Sequence, residues 1–108
     1  MVELKEKHCV ACEGGTKPFN ADEIKEYKKR VDNGWKIIDD KKIKREFPFE
    51  NFKRGMAFAQ NVAALANEED HHPDMCINYS SVEIELSTHA IGGLSENDFI
   101  MAAKIDEV

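Results

Sequence analysis

The stretch Asp70-His71-His72-Pro73-Asp74 decides how this chain folds, because it must end the helix that precedes it. Proline has no backbone N–H, and its ring disfavours the α conformation of the residue before it, here His72. The two adjacent histidines therefore stand at the boundary between a helix and the next element. Binding and catalytic residues are common at such boundaries, so we expect a functional site here.

The segment before this stretch, residues 51 to about 69, has the apolar spacing of an amphipathic helix. The side chains of the predicted buried face recur at three- and four-residue intervals and are Phe52, Met56, Ala59, Val62, Ala63 and Ala66. The alanines would let the helix lie close to a sheet. Gly55 weakens a helix by about 1 kcal/mol relative to alanine, and we interpret it as a point of close backbone packing.

Two strands are predicted after the histidines, over residues 76–79 and 82–87. The second strand alternates apolar and acidic residues, which is typical of a strand with one buried and one exposed face. Ser80-Ser81 would then form a two-residue hairpin turn, although serine is not a favoured residue in such turns.

This hairpin register brings distant histidines together. With Tyr79 paired to Val82, His72 falls opposite His89 at the open end of the hairpin, beside the end of the long helix. A slip of one residue would turn the side chains to opposite faces. We therefore predict that His71, His72 and His89 form one cluster.

Capping residues mark two further helices. Asn20 and Glu23 form a predicted capping box at the start of the first, and Asn33-Gly34 gives a typical C-terminal signal. The final helix begins after Ser95, and Asp98 can complete a capping box there with a shorter acid.

A hairpin is predicted between the first two helices. Residues 35–38 and 43–49 read as short strands joined by the polar connector 39–42. Pro48 would place the second strand at a sheet edge, or its last residues outside the ladder.

The predicted element order is α-β-β-α-β-β-α, which indicates an α+β fold with helices covering one face of an antiparallel sheet. Residues 20–108 would form this domain, and residues 1–19 an extended or loosely ordered arm. The arm carries Cys9 and Cys12, a weak signal, because no second pair completes a zinc site and Gly14-Gly15 follows where a redox motif would open a helix. We expect an incidental or structural role for these cysteines.

The amino-acid composition and the charge of the chain limit the classes of function that it can have. The chain has 108 residues, 42% of them hydrophobic, and a net charge of −6, as expected for one globular domain. Interspersed acids and bases argue against a surface that neutralises nucleic-acid phosphates. No apolar run approaches the ~20 residues of a membrane span, and no signal-peptide core is visible. With three cysteines, an odd number, the chain is predicted to be cytoplasmic.

The residues alone allow three interpretations of the histidine cluster. The imidazoles can act as general acids and bases, since an ordinary histidine pKa of ~6.5 makes both proton states accessible at neutral pH. His71, His72 and His89 can instead bind zinc, with Asp74 or Asp98 as a further ligand. They can also simply cap a helix end. Adjacent histidines do not easily chelate one ion from a regular element, which favours proton transfer.

Several groups of residues resemble pterin-4a-carbinolamine dehydratases, over nearly the whole chain. They are Phe47-Pro48-Phe49-Glu50-Asn51-Phe52, Asp70-His71-His72-Pro73-Asp74 with Tyr79, and Ser87-Thr88-His89 with Gly93-Leu94-Ser95 and Asp98. The opening Cys9-Val10-Ala11-Cys12-Glu13-Gly14-Gly15 and Gly34-Trp35 resemble the longer bacterial members.

The resemblance implies a four-stranded antiparallel sheet with three helices on one face, assembled into dimers or tetramers. It implies dehydration of 4a-hydroxytetrahydropterin to quinonoid dihydropterin without a metal or cofactor, which recycles the cofactor of aromatic amino-acid hydroxylases. His71 and His89 would be the acid–base residues, and His72 would serve catalysis by orienting the pterin. The implied substrate-binding residues are His72, Trp35, Asp70, Pro73 and Asp98. From the pattern alone, Trp35 is interpreted as a core or half-buried strand residue, with an aromatic wall for a flat ligand as the alternative. Asp98 is interpreted as a capping residue, with a catalytic role as the alternative.

Two alternatives to this function stay open. Vertebrate members of the family serve as dimerisation cofactors of a transcription factor, so the chain could be a protein-interaction module. Its exposed alternation over residues 82–87 would then offer a sheet edge to a partner. The substrate could also be another pterin, such as one of molybdenum-cofactor metabolism. Direct contact with nucleic acid or membrane is not expected.

Overall fold

The computed structural model describes residues 3–11 and 16–108, and it has the predicted order of helices and strands. The helices are α1 (Ala21–Lys28), α2 (Phe52–Glu69) and α3 (Glu96–Ile105). The strands are β1 (Lys36–Ile38), β2 (Lys42–Pro48), β3 (Asp74–Asn78) and β4 (Ser81–Leu86). Two short 3₁₀ turns, Leu4–Glu6 and His89–Ile91, were not predicted. No helix among these residues is both long and apolar enough to cross a membrane.

The four strands form one antiparallel sheet in the order β1-β2-β4-β3. One face is apolar and lies under the helices, and its fully buried side chains are Ile43, Val82, Ile84 and Leu86. The opposite face is polar and carries the cross-strand ion pairs Lys42–Glu85 and Lys44–Glu83. The predicted α+β architecture, with three helices on one face of the sheet, is confirmed.

The predicted register of the second hairpin is wrong by two positions. Asn78 pairs with Ser81, so the turn is Tyr79-Ser80 and not Ser80-Ser81. The Ser80 carbonyl accepts a hydrogen bond from the Phe49 amide at 2.8 Å, which ties this turn to the end of β2. A shift of two residues keeps every side chain on its face, so apolar alternation alone could not distinguish the two registers.

The edges of the sheet are β1 and β3, because β4 lies between β2 and β3. The suggestion that residues 82–87 offer a free edge is therefore wrong. Pro48 is the last residue of β2, beyond the part of that strand that pairs with β1. Since the Phe49 amide points toward the β4 side, the missing N–H of Pro48 falls on the side where no strand lies.

Asn51 caps the start of helix α2, and its side chain accepts a hydrogen bond from the Arg54 amide. Its buried face is rotated from the prediction and consists of Gly55, Phe58, Ala59, Val62, Ala66 and Glu69. Phe52 is 49% exposed. A Cβ on Gly55 would lie 3.4 Å from Val82 Cγ2, which is an ordinary van der Waals distance. The helix therefore packs on the sheet at Gly55, but the packing does not require a glycine.

Helix α2 ends where the proline was expected to end it. Asp70 adopts the left-handed conformation with φ of 54°, which aspartate tolerates better than most residues. The His71 amide then donates to the Ala66 carbonyl at 3.2 Å. This turn fixes the direction in which the two histidines leave the helix.

Helix α1 has the predicted capping box of Asn20 and Glu23, but it ends five residues before Asn33. Asp32 accepts a hydrogen bond from the Gly34 amide on its side chain and from the Trp35 amide on its carbonyl. This turn sends Trp35 into the core.

A buried polar contact holds Trp35 in place. Its Nε1 donates to Asp106 Oδ1 at 2.9 Å, and Arg45 Nη1 donates to the same oxygen at 2.6 Å. Burial raises the pKa of Asp106, against the opposing effects of the Trp35 hydrogen bond, the Asp32 amide and the Arg45 charge. Asp106 thus joins the end of α3 to β2 and to the start of β1.

The described part of the arm packs against α3. Leu4 is buried, Lys7 Nζ lies 2.8 Å from Glu96 Oε2, and Lys104 Nζ donates to the Lys5 carbonyl. These contacts hold the described residues of the arm against the domain. Cys12, the second cysteine of the predicted pair, lies outside the described residues.

Replacing Asp106 tests this contact. We expect Asp106→Ala to lower the free energy of unfolding by about 2 kcal/mol, because the Trp35 N–H and the Arg45 guanidinium lose their shared acceptor. Asp106→Asn keeps an oxygen acceptor and should lose less. Urea unfolding of the three proteins measures both differences, and equal stability of wild type and Asp106→Ala would contradict the expectation.

Candidate active site

A cavity of about 310 Å³ opens where the end of α2, the segment after β4 and the start of α3 meet. Its lining residues are Val10, Ala11, Asp70, His71, His72, Ser87, Thr88, His89, Ala90 and Asn97. The structure therefore brings His71, His72 and His89 to one cavity. The arrangement differs from the predicted one, because His72 and His89 line the same cavity but do not form a cross-strand pair.

His71 is held by the most buried charge of the site. Its Nε2 lies 2.7 Å from Asp98 Oδ1, and Asp98 is 0% exposed. A carboxylate can only accept hydrogen bonds, so Nε2 carries the proton of the neutral ring. Nδ1 is then the ring nitrogen of His71 that can accept a further proton.

A short hydrogen-bonded series fixes the other oxygen of Asp98. Oδ2 accepts from the Thr88 hydroxyl at 2.8 Å and from the Ser95 amide at 3.0 Å. Since the single hydroxyl proton of Thr88 goes to Asp98, the 2.7 Å contact between Thr88 and Ser95 hydroxyls has Ser95 as donor. Asp98 is thus both the predicted capping residue of α3 and the partner of His71.

The other two histidines are exposed at the cavity. His72 Nε2 lies 3.0 Å from Asn67 Oδ1, one helical turn back on α2. His89 begins the 3₁₀ turn after β4, where its carbonyl accepts from the Gly92 amide. Both rings remain open to a molecule that enters the cavity.

Three predicted substrate-binding residues, Trp35, Pro73 and Asp98, lie apart from the cavity wall, and Asp98 is buried behind His71. Trp35 is 0% exposed and bonded to Asp106, so its indole is a core group in this chain. The prediction that Trp35 contacts the substrate does not agree with this position. Pro73 follows His72 but does not line the cavity, and it contributes by ending α2. Asp70 does line the cavity.

Sequence reasoning did not assign a role to several residues of the site. Thr88 continues the inward alternation of β4, and a hydroxyl at an inward position was the available signal. Glu69 carried a similar signal, because it lies three residues after the buried Ala66. Nothing in the sequence pattern indicated Asn97 or the arm residue Val10.

Asn97 and Glu69 hold the arm against the cavity. The Asn97 carboxamide accepts from the Val10 amide at 3.0 Å and donates to the Val10 carbonyl at 2.5 Å. Glu69 accepts from the Cys9 amide at 2.8 Å, and its other oxygen lies 2.9 Å from His8 Nδ1.

These contacts outweigh the burial of Glu69. Burial alone would raise the pKa of Glu69, but the hydrogen bonds from the Cys9 amide and His8, with the charge of Lys104, lower it below its ordinary value. The contacts that hold the arm therefore favour the ionised carboxylate of Glu69.

Metal binding was the second interpretation of the histidine cluster. Within residues 3–11 and 16–108, no three histidine, cysteine, aspartate or glutamate side chains are arranged to share one ion. The Asp98 carboxylate is instead directed at His71, Thr88 and the Ser95 amide.

Comparisons with known proteins agree on one family. The family model for pterin 4 alpha carbinolamine dehydratase matches residues 17–108. A protein of Alkaliphilus metalliredigens, provisionally named a pterin-4-alpha-carbinolamine dehydratase, is 46% identical over 107 residues, which cover 99% of this chain and 96% of that protein. A protein of Rubrobacter xylanophilus with the same provisional name is 41% identical over the full length of both chains.

A solved structure shares the fold. It is the crystal structure of a transcriptional coactivator/pterin dehydratase from Brucella melitensis, with a TM-score of 0.78 and 31% identity. The match covers 83% of this chain and 96% of that one.

Removing the buried carboxylate tests the scaffold of the site. We expect Asp98→Ala to lower the free energy of unfolding by about 3 kcal/mol, because the helix cap and the hydrogen bonds of Thr88 and His71 are lost together. The control is Asp74→Ala at an exposed aspartate, which should change stability by less than about 0.5 kcal/mol. Urea unfolding measures both, and similar losses would show that burial of Asp98 contributes little.

The Glu69 contacts predict a pH dependence. Because the folded-state pKa lies below the ordinary value of 4.5, Glu69 contributes stability above pH 4.5 and loses it as the pH falls through the folded-state pKa. We expect Glu69→Gln to be less stable than wild type at pH 7, with the difference shrinking below pH 4.5. A difference that stays constant from pH 7 to about pH 3 would contradict this linkage.

Proposed function

This chain belongs to the pterin 4 alpha carbinolamine dehydratase family, and we propose that it converts 4a-hydroxytetrahydropterin to quinonoid dihydropterin and water. The observation that carries the proposal is the His71–Asp98 pair at a cavity that two further histidines line. In this role the chain would regenerate pterin for an aromatic amino-acid hydroxylase.

The reaction needs two proton transfers. The bond between C4a and its hydroxyl oxygen breaks, and the oxygen leaves as water once an acid protonates it. The N5–H bond also breaks, its electron pair forms the double bond between N5 and C4a, and a base takes the proton. Histidines can serve as both acid and base near neutral pH.

His71 is the proposed base for N5–H. Its Nε2–H is directed at Asp98, so Nδ1 is available to accept the proton. The imidazolium that forms lies 2.7 Å from a buried carboxylate, whose negative charge stabilises it. Thr88 and the Ser95 amide act as positioning groups, because they hold the carboxylate in the plane it needs.

His89 is the proposed acid for the leaving hydroxyl, and His72 is proposed to bind and orient the pterin. Both rings are exposed at the cavity, and Asp70 lines it beside them. The contact between His72 and Asn67 limits the rotation of that ring. Positioning of this kind matters because reacting atoms must be held close to their transition-state geometry.

A protein-interaction module is the second candidate, and it is a different class of function. The related protein of Brucella melitensis is described as a transcriptional coactivator as well as a pterin dehydratase. Absence of turnover in the wild-type protein would favour this second function.

Replacing the histidines tests the dehydration. We expect His71→Ala, His72→Ala and His89→Ala each to lower kcat/KM by about 100-fold, the lower range for general acid–base catalysis. Freshly generated 4a-hydroxytetrahydropterin is the substrate, and its disappearance is followed by absorbance. Gln60→Ala, on the exposed side of α2, is the control and should keep wild-type activity.

Two further measurements separate the explanations. Circular dichroism should be unchanged in His72→Ala, and loss of that signal together with activity would show a structural role. A chelator should leave wild-type turnover unchanged. Turnover that the chelator abolishes would contradict the proposed acid–base mechanism and favour a metal ion at the histidines.

A further inference from the structure

We propose that the segment His8–Ala11, here called the strap, forms one wall of the pterin site, with Val10 and Ala11 in contact with the bound ring. This inference rests on the proposed function, since it assigns the strap to the same cavity. It adds a substrate-contacting element that precedes the family match, which begins at residue 17.

The strap is held by contacts to its backbone. The Asn97 side chain bonds both the amide and the carbonyl of Val10, as a neighbouring strand would. Glu69 accepts the Cys9 amide one residue earlier. Because both anchors are buried and bind backbone groups, they fix the position of the strap whatever side chain stands at residue 10.

The strap and the proposed base, His71, are held by neighbouring residues of one helix. Asn97 and Asp98 are consecutive residues of α3, and the first holds Val10 while the second holds His71. Helix α3 therefore fixes the distance between the strap and the proposed base. A ring bound between them would meet an apolar wall on one side and a proton acceptor on the other.

The exposure of Val10 is the observation that calls for a ligand. Its side chain is 71% exposed although it belongs to a firmly anchored segment and lines the cavity. Most of the other lining side chains are polar. A pterin has polar edges and apolar faces, so its edge suits the histidines and its face suits Val10 and Ala11. Covering exposed apolar surface favours binding.

The strap is expected to affect binding more than chemistry. Val10 and Ala11 have no titratable group, and an apolar contact to the ring face is similar in the ground state and the transition state. Such contacts lower KM and leave kcat nearly unchanged.

The first test compares two identical substitutions. We expect Val10→Ser to raise KM about tenfold with kcat within about twofold of wild type, from the apolar contact that is lost. Val108→Ser is the matched control, because Val108 is also an exposed valine and does not line the cavity. It should leave both constants unchanged.

The second test asks whether Asn97 acts through the strap. Asn97→Leu removes both hydrogen bonds to Val10 at similar volume and should also raise KM. If Asn97 only positions the strap, the double variant Val10→Ser/Asn97→Leu should have the KM of Asn97→Leu alone. Additive effects would mean that Asn97 contacts the substrate directly and would overturn its role as a positioning residue. Urea unfolding checks that each variant is folded under assay conditions.

Binding of an oxidised, unreactive pterin separates the failure of this inference from failure of the proposed function. Wild-type turnover with an unchanged KM in Val10→Ser would overturn the strap and leave the dehydration standing. Absence of wild-type turnover, with pterin binding that Val10→Ser weakens about tenfold, would overturn the dehydration and support the strap. A wild-type protein that neither turns over nor binds pterin would overturn both.

Discussion

The candidate site depends on one buried carboxylate, that of Asp98. Isolated from water, such a charge is strongly unfavourable unless hydrogen bonds replace its hydration. Here the Ser95 amide, the Thr88 hydroxyl and the His71 ring supply them. These donors come from the start of α3, the segment after β4 and the end of α2, so the requirement to satisfy Asp98 brings three chain segments to one point. The orientation of His71 is a consequence of the same requirement.

Local signals in the sequence predicted most of the fold. The capping residues Asn20 and Ser95 marked helix starts, and the alternation in β4 marked an inward face. The hairpin register was wrong, because a shift of two residues preserves that alternation and the deciding contact, Phe49 to Ser80, joins separate elements. The buried face of α2 was also misjudged. Phe52 and Phe58 are equally apolar, and the direction of the sheet beneath the helix decides which is covered.

The site was predictable only where its residues share a local motif. The histidines could be grouped, since a helix end and a hairpin end had to meet, although the exact pairing was incorrect. The spacing from Ser95 predicted that Asp98 caps α3. Its contact with His71 was not predictable from local sequence, because the two residues are 27 positions apart. Trp35 was interpreted as a core residue from the pattern and as a substrate-binding residue from the resemblance, because an indole suits either a core or a ligand pocket. Its bond to Asp106, 71 residues away, decides for the core.

The anchoring of the strap has a consequence for biosynthesis. Val10 leaves the ribosome long before Asn97, which lies 87 residues later and holds it. Glu69 is also synthesised 60 residues after the Cys9 amide that it accepts. At about 5–20 residues per second, several seconds separate the two ends of this contact. The strap can therefore take its place at the cavity only after α3 has emerged, and a nascent chain that stops before α3 lacks part of the cavity wall.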